Sequence, residues 1–120
     1  MRKLHQLITA CALGAITLTG SALAADAAKD LTGKQIAFDR KKGNCLACHA
    51  MPTVPDAESP GTYGPPLIAM SARYPDKAKL RAQIWDATAA NPSSSMIPFG
   101  KNGVLTEAEI DKVTDFVYGL

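Results

Sequence analysis

The chain has 120 residues, with 13 Lys and Arg against 11 Asp and Glu, a formal net charge of +2, three cysteines and two histidines. That length sets one domain as the expectation. A balance so close to neutral gives no electrostatic case for nucleic-acid binding, and a chain this short buries little apolar area without help.

Taken in chain order, Arg2 and Lys3, the mostly apolar stretch from Leu7 to Leu18 and the triplet Ala22-Leu23-Ala24 have the layout of a secretory signal peptide with its A-x-A cleavage site. The stretch is shorter than the roughly 20 residues that a membrane span requires, so no membrane span is expected. Ile8-Thr9-Ala10-Cys11 offers a competing lipoprotein-type box, but almost no apolar residue precedes Cys11 and the apolar run continues past it. Cleavage after Ala24 divides the chain into a signal peptide, 1–24, and one domain, 25–120, of 96 residues with eleven basic and eleven acidic side chains. The expected location is the bacterial periplasm.

Gly33 to Lys42 carries Ile36, Ala37 and Phe38 as an apolar cluster, which predicts a first helix ending at Gly43. Cys45-Leu46-Ala47-Cys48-His49 follows, and its C-x-x-C-H spacing is that of covalent haem attachment. Two sulfurs on one helical turn each reach one vinyl group of the same porphyrin, and the next residue turns its imidazole to the iron. Structural zinc usually takes four Cys or His ligands, and the other Cys and His, Cys11 and His5, both fall in the signal peptide. Disulfide redox chemistry of the thioredoxin type expects a strand before the motif; here the polar run Asp39 to Asn44 precedes it. One haem c is the expected cofactor, attached to Cys45 and Cys48, with His49 as the proximal iron ligand.

Between Met51 and Pro66 five prolines and several Gly, Ser and Thr predict a loop. A loop of this length needs a surface to lie against, and a haem provides one. Asp76 is placed to cap a helix that continues to about Ala90, with Leu80, Ile84 and Trp85 on its apolar stripe and Asn91-Pro92 at its end. Thr106 and Glu109 form a capping box before the stripe Ile110, Val113, Phe116 or Val117, and Leu120. The domain is expected to be all-α.

No second histidine remains after residue 49, so the iron's other ligand is sought among Met51, Met70 and Met96. Met51 lies too close behind His49 to cross the ring. Met70 follows the apolar run Leu67-Ile68-Ala69, where packing is the ordinary role of a methionine. Met96 stands in Ser93 to Gly100, a loop rigidified by Pro98 and Gly100, and is preferred as the distal ligand with Met70 its competitor. The proximal histidine also needs an acceptor for its other ring N–H. The carbonyl of Pro65, in the rigid run Gly64-Pro65-Pro66-Leu67, is the candidate. Val54, Ile68 and Tyr63 are candidate exposed residues for docking.

The order of N-terminal helix, C-x-x-C-H, Gly-Pro-x-Leu loop, Met-Pro-type loop and C-terminal helix resembles the class I cytochrome c fold, in which three to four helices wrap one covalent haem. Within it, Asn44 to Pro52 (NCLACHAMP), Gly64 to Met70, Arg81 to Pro92 (RAQIWDATAANP) and Met96 to Leu120 are similar to the SoxX family of sulfur-oxidation cytochromes. One departure is Ile97, where the family pattern has a second proline after the methionine. The resemblance implies an electron-transfer subunit in a heterodimer with a haem-bearing SoxA-like subunit. The complex it implies, an L-cysteine S-thiosulfotransferase (SoxAX), couples thiosulfate to a cysteine of a SoxYZ-like carrier protein, and the electrons leave to a soluble cytochrome c. With both cysteines in thioethers no Cys or His is left in the domain as nucleophile or base, so the chain alone is not expected to catalyse. The alternative is a free-standing periplasmic electron carrier, although the neutral domain lacks the charge such a carrier's docking ring would bring.

Overall fold

The computed structural model describes residues 30–120; the signal-peptide reading of 1–24, with His5 and Cys11, lies outside them. The described residues form five α-helices and one turn of 3-10 helix, with no strand among them.

Helix α1, Gly33–Phe38, opens on a capping box: the Thr32 hydroxyl accepts the Gln35 N–H, and the Gln35 side chain accepts the Thr32 N–H at 2.9 Å. The helix stops at Phe38 rather than at Lys42. Asp39 leaves the helical region, its carboxylate accepts the Lys41 N–H at 2.7 Å, and the Gly43 N–H turns back to the Ile36 carbonyl at 3.0 Å. This turn feeds Asn44, which sits at φ 46°, a left-handed conformation that a short polar side chain tolerates. The 3-10 turn Cys45–Ala47 starts directly after it.

Residues 48–69 contain no helix. Three backbone hydrogen bonds fold this segment back along the cysteine motif. The N–H groups of Gly61, Gly64 and Leu67 reach the carbonyls of Leu46, Cys48 and Ala50 at 2.7, 2.8 and 2.8 Å. Met51 is buried within the fold, and Val54 packs against the core rather than standing free.

Helix α2, Met70–Arg73, is a single turn, and α3, Lys77–Trp85, is capped by Asp76, whose carboxylate accepts the Ala78 N–H at 2.9 Å. The helix expected to run unbroken to Ala90 is interrupted at Asp86. That residue ends α3 and caps α4, Ala87–Ala90, by accepting the Thr88 N–H at 3.0 Å. The break leaves the Trp85 carbonyl free of the helix ladder, and the N–H groups of Gly100 and Lys101 take it at 3.1 and 3.3 Å. It thereby anchors the end of the 91–99 loop.

Helix α5, Glu107–Tyr118, has both arms of the Thr106–Glu109 capping box and buries Ile110, Val113 and Val117. Each buried aliphatic of this kind contributes roughly 1.5–3 kcal/mol. α5 packs against both α1 and α3, adding Ile36, Leu80 and Ile84 to the core. The α1–α5 crossing is close because Gly33 has no side chain: a methyl there would lie 2.7 Å from the Lys112 carbonyl carbon and 2.9 Å from Phe116 Cβ. Phe38 and Phe116 meet edge to face at 6.3 Å across the same crossing. An ion pair between Lys42 and Glu109 ties the turn before the cysteines to the start of α5.

Candidate haem site

A cavity of about 650 Å³ opens between the cysteine motif, the Pro-rich loop, the 91–99 loop and the inner faces of α3 and α5. This is within the usual range of organic ligand sites, about 300–1,000 Å³. Leu67, Leu80, Ile84, Phe99, Val113 and Val117 give it apolar walls. Cys45, Cys48, His49, Met70 and Met96 also line it, whereas Met51 does not.

His49 is held by the loop folded back on it. Its Nδ1 lies 2.6 Å from the Pro65 carbonyl oxygen. A carbonyl only accepts, so Nδ1 carries the proton and donates it. In the tautomer this bond selects, the lone pair sits on Nε2, the form that ligates a metal. Gly64 makes this approach possible, since a methyl there would stand 2.6 Å from Nδ1 and 2.9 Å from Nε2.

Both cysteines are free thiols and half-buried. Burial pushes the Cys45 thiol up to about 11, with the neighbouring Cys48 adding to the rise and its own backbone N–H opposing it. A redox C-x-x-C pair depends on a lowered thiol, so this environment works against disulfide exchange. Among the described residues no group of three or more His, Cys, Asp or Glu is placed to hold a bare metal ion. An apolar chamber with two thiols, an oriented imidazole and thioether sulfurs on its walls fits a haem.

The two competing methionines differ in their surroundings. Met70 is buried, and its sulfur accepts from Arg73 Nη1 at 3.3 Å; the same nitrogen donates to the Pro66 carbonyl at 2.8 Å. Met96 is half-buried, and no hydrogen bond to its sulfur occurs among the described residues. The sequence reading did not single out Arg73. The only sequence signal for it is a cation three residues beyond a methionine, which is too common to point anywhere.

Several known proteins are similar to this chain. The CcoP subunit of a cbb3-type cytochrome c oxidase from Azospirillum sp. (strain B510) is 35% identical over 104 residues, covering 77% of this chain and 33% of that protein. An uncharacterized lipoprotein of Aquifex aeolicus (strain VF5) is 32% identical over 78 residues, covering 65% of this chain and 37% of the lipoprotein. The chain thus spans about a third of the length of each of these relatives. No family model matches the sequence. Among solved structures, a chain in the crystal structure of SoxXA from P. pantotrophus superposes with a TM-score of 0.65 at 28% identity, covering 72% of this chain and 77% of its own. In sequence and fold this chain is similar to a SoxX-type cytochrome c. Among the described residues its all-α architecture is the class I cytochrome c fold, and these likenesses point to a haem cofactor and an electron-transfer role. Among the described residues the fold has five α-helices where three to four are expected, because α3 and α4 are separate and α2 adds a turn. Among the described residues no helix is long and apolar enough to cross a membrane.

Proposed function

We propose that this cytochrome is the electron-transfer subunit of a thiosulfate-oxidising complex. It carries one haem c joined to Cys45 and Cys48 by thioethers, with His49 proximal and Met96 distal. The observation that carries the site is the His49–Pro65 hydrogen bond at 2.6 Å inside a cavity that also takes in both cysteines and Met96. The haem, when bound, supplies a one-electron couple at its iron. The chain's own residues set the conditions for it. The Pro65 carbonyl draws on the His49 N–H and makes the imidazole a stronger donor. The Met96 sulfur, as an iron ligand, would favour the reduced state and raise the potential. The apolar walls would keep water from the bound group. Met96 is favoured over Met70 because the Met70 sulfur is already engaged by Arg73.

The partner reading rests on the likeness to the SoxXA structure. On it, a SoxA-like haem subunit binds this chain as a heterodimer and holds the reaction centre at which thiosulfate is coupled to a cysteine of a SoxYZ-like carrier. This chain passes the electrons to a soluble cytochrome c in the periplasm, reached by export behind the signal peptide 1–24. A second reading is a free-standing periplasmic electron carrier; the 35% identity to an oxidase subunit supports electron transfer without a thiosulfate-specific role.

The test is the native mass and haem content of the protein purified from a thiosulfate-grown host. Co-elution with a larger haem-staining subunit is expected, as is loss of thiosulfate-dependent cytochrome reduction when the two are separated. A lone monohaem chain exchanging electrons directly with an oxidase would establish the carrier reading instead. In the same material Met96→Ala is expected to abolish the methionine–iron charge-transfer band and Met70→Ala to retain it.

A further inference from the structure

We propose that Tyr63 and Ser95 form a clasp that holds the Met96 loop closed and sets how firmly the methionine stays on the iron. This rests on Met96 being the distal ligand. Tyr63 Oη and Ser95 Oγ lie 3.0 Å apart, joining segments 32 residues distant in sequence. Both residues are exposed and both line the cavity, so the bond lies at its opening. Tyr63 directly precedes Gly64, whose backbone lies against the His49 ring. Ser95 directly precedes Met96. The clasp therefore joins the backbone beside one axial ligand to the backbone beside the other.

The rest of the 91–97 stretch makes only local hydrogen bonds. The Ser94 N–H reaches the Asn91 carbonyl at 2.9 Å, the Ser93 N–H reaches Asn91 Oδ1 at 3.1 Å, and the Met96 N–H reaches Ser94 Oγ at 3.2 Å. Tertiary bonds resume at Gly100, which is fixed to Trp85. Among the described residues, Tyr63–Ser95 is the one hydrogen bond that fastens this stretch to another part of the molecule. Core packing does not account for the tyrosine, since Tyr63 is 78% exposed. Ile97 is 50% exposed, so between Asn91 and Ile97 only Met96 packs against the core, and full burial resumes at Phe99. A loop so weakly held opens at a rate governed by its few fastenings, and loss of one hydrogen bond of ordinary strength corresponds to about a fivefold change.

The experiment uses the haem-loaded ferric protein and follows displacement of the methionine by imidazole, read as decay of the methionine–iron band in stopped flow. Tyr63→Phe and Ser95→Ala are each expected to speed displacement about fivefold, and the double variant by no more than either alone, because both remove one shared bond. The unfolding midpoint is expected to fall only slightly, by no more than the loss of that one exposed bond accounts for. Single variants that react at the parent rate, or effects that multiply in the double variant, would overturn the clasp. A parallel Met96→Ala variant separates this from the ligand assignment. If it loses the band while the Tyr63 and Ser95 variants behave as the parent, only the clasp is wrong. If it keeps the band, the distal assignment falls and the clasp with it.

Discussion

At the scale of single residues, the site depends on what glycine and proline omit. Pro65 presents a carbonyl from a segment with no N–H of its own, and Gly64 leaves the space into which the His49 ring fits. Gly64→Ala is expected to push the ring away and to lower stability by about 1–3 kcal/mol, as overpacking of a filled site does. The weakened Nδ1–H bond makes the imidazole a poorer donor, so the reduction potential is expected to move positive. Denaturant titration and potentiometry of the haem-loaded variant check the two effects. The 16-residue separation of His49 and Pro65 follows no helical or strand period. A proline carbonyl as acceptor is legible from the chemistry of proline, but the route that brings it under the ring is not. That route depends on the three backbone bonds laid down by Gly61, Gly64 and Leu67. Arg73 was not legible at all, because its partners are a sulfur and a carbonyl that any cation might reach.

At the scale of elements, the best-read helix is the one whose signals are local. α5 has its capping box, its stripe and its end within a dozen residues, and no distant contact alters them. α1 and α3 were read too long for one shared reason: a backbone group that a helix would have used is taken by a distant or turning segment. The Ile36 carbonyl is claimed by Gly43, and the Trp85 carbonyl by Gly100. Neither claim has a periodic signature, although Asp39 and Asp86, residues suited to caps and turns, mark both places. The α1–α5 crossing leads to a sharper expectation. Gly33→Ala would place a methyl 2.9 Å from Phe116 Cβ and closer still to the Lys112 backbone. The helices must then separate, disturbing the Phe38–Phe116 contact, at a cost of about 1–3 kcal/mol. A lower thermal midpoint with an unchanged haem spectrum is the expected result.

At the scale of the whole molecule, the domain closes around its cavity, and ion pairs bridge its segments across the surface. Most of these are exposed and contribute little. Lys42–Glu109 is the more shielded, with side chains 34% and 20% exposed. The Lys42 ammonium, followed by the Thr106 N–H, holds the Glu109 carboxyl below its usual 4.5. A carboxyl lowered on folding stabilises the fold fully above its unfolded value and loses that contribution as pH falls through the folded one. Glu109→Gln is therefore expected to be less stable than the parent at neutral pH, with the gap closing as pH drops below 4.5. Paired urea titrations across that range check it. The crossing of α1 with α5 also imposes an order in time. The cysteine motif precedes α5 in the chain, and until α5 folds α1 has only the 3-10 turn to pack against and lacks its main partner. Before α5 docks, the thiols are within open reach, and the docking of the last helix closes the chamber on whatever has been joined to them.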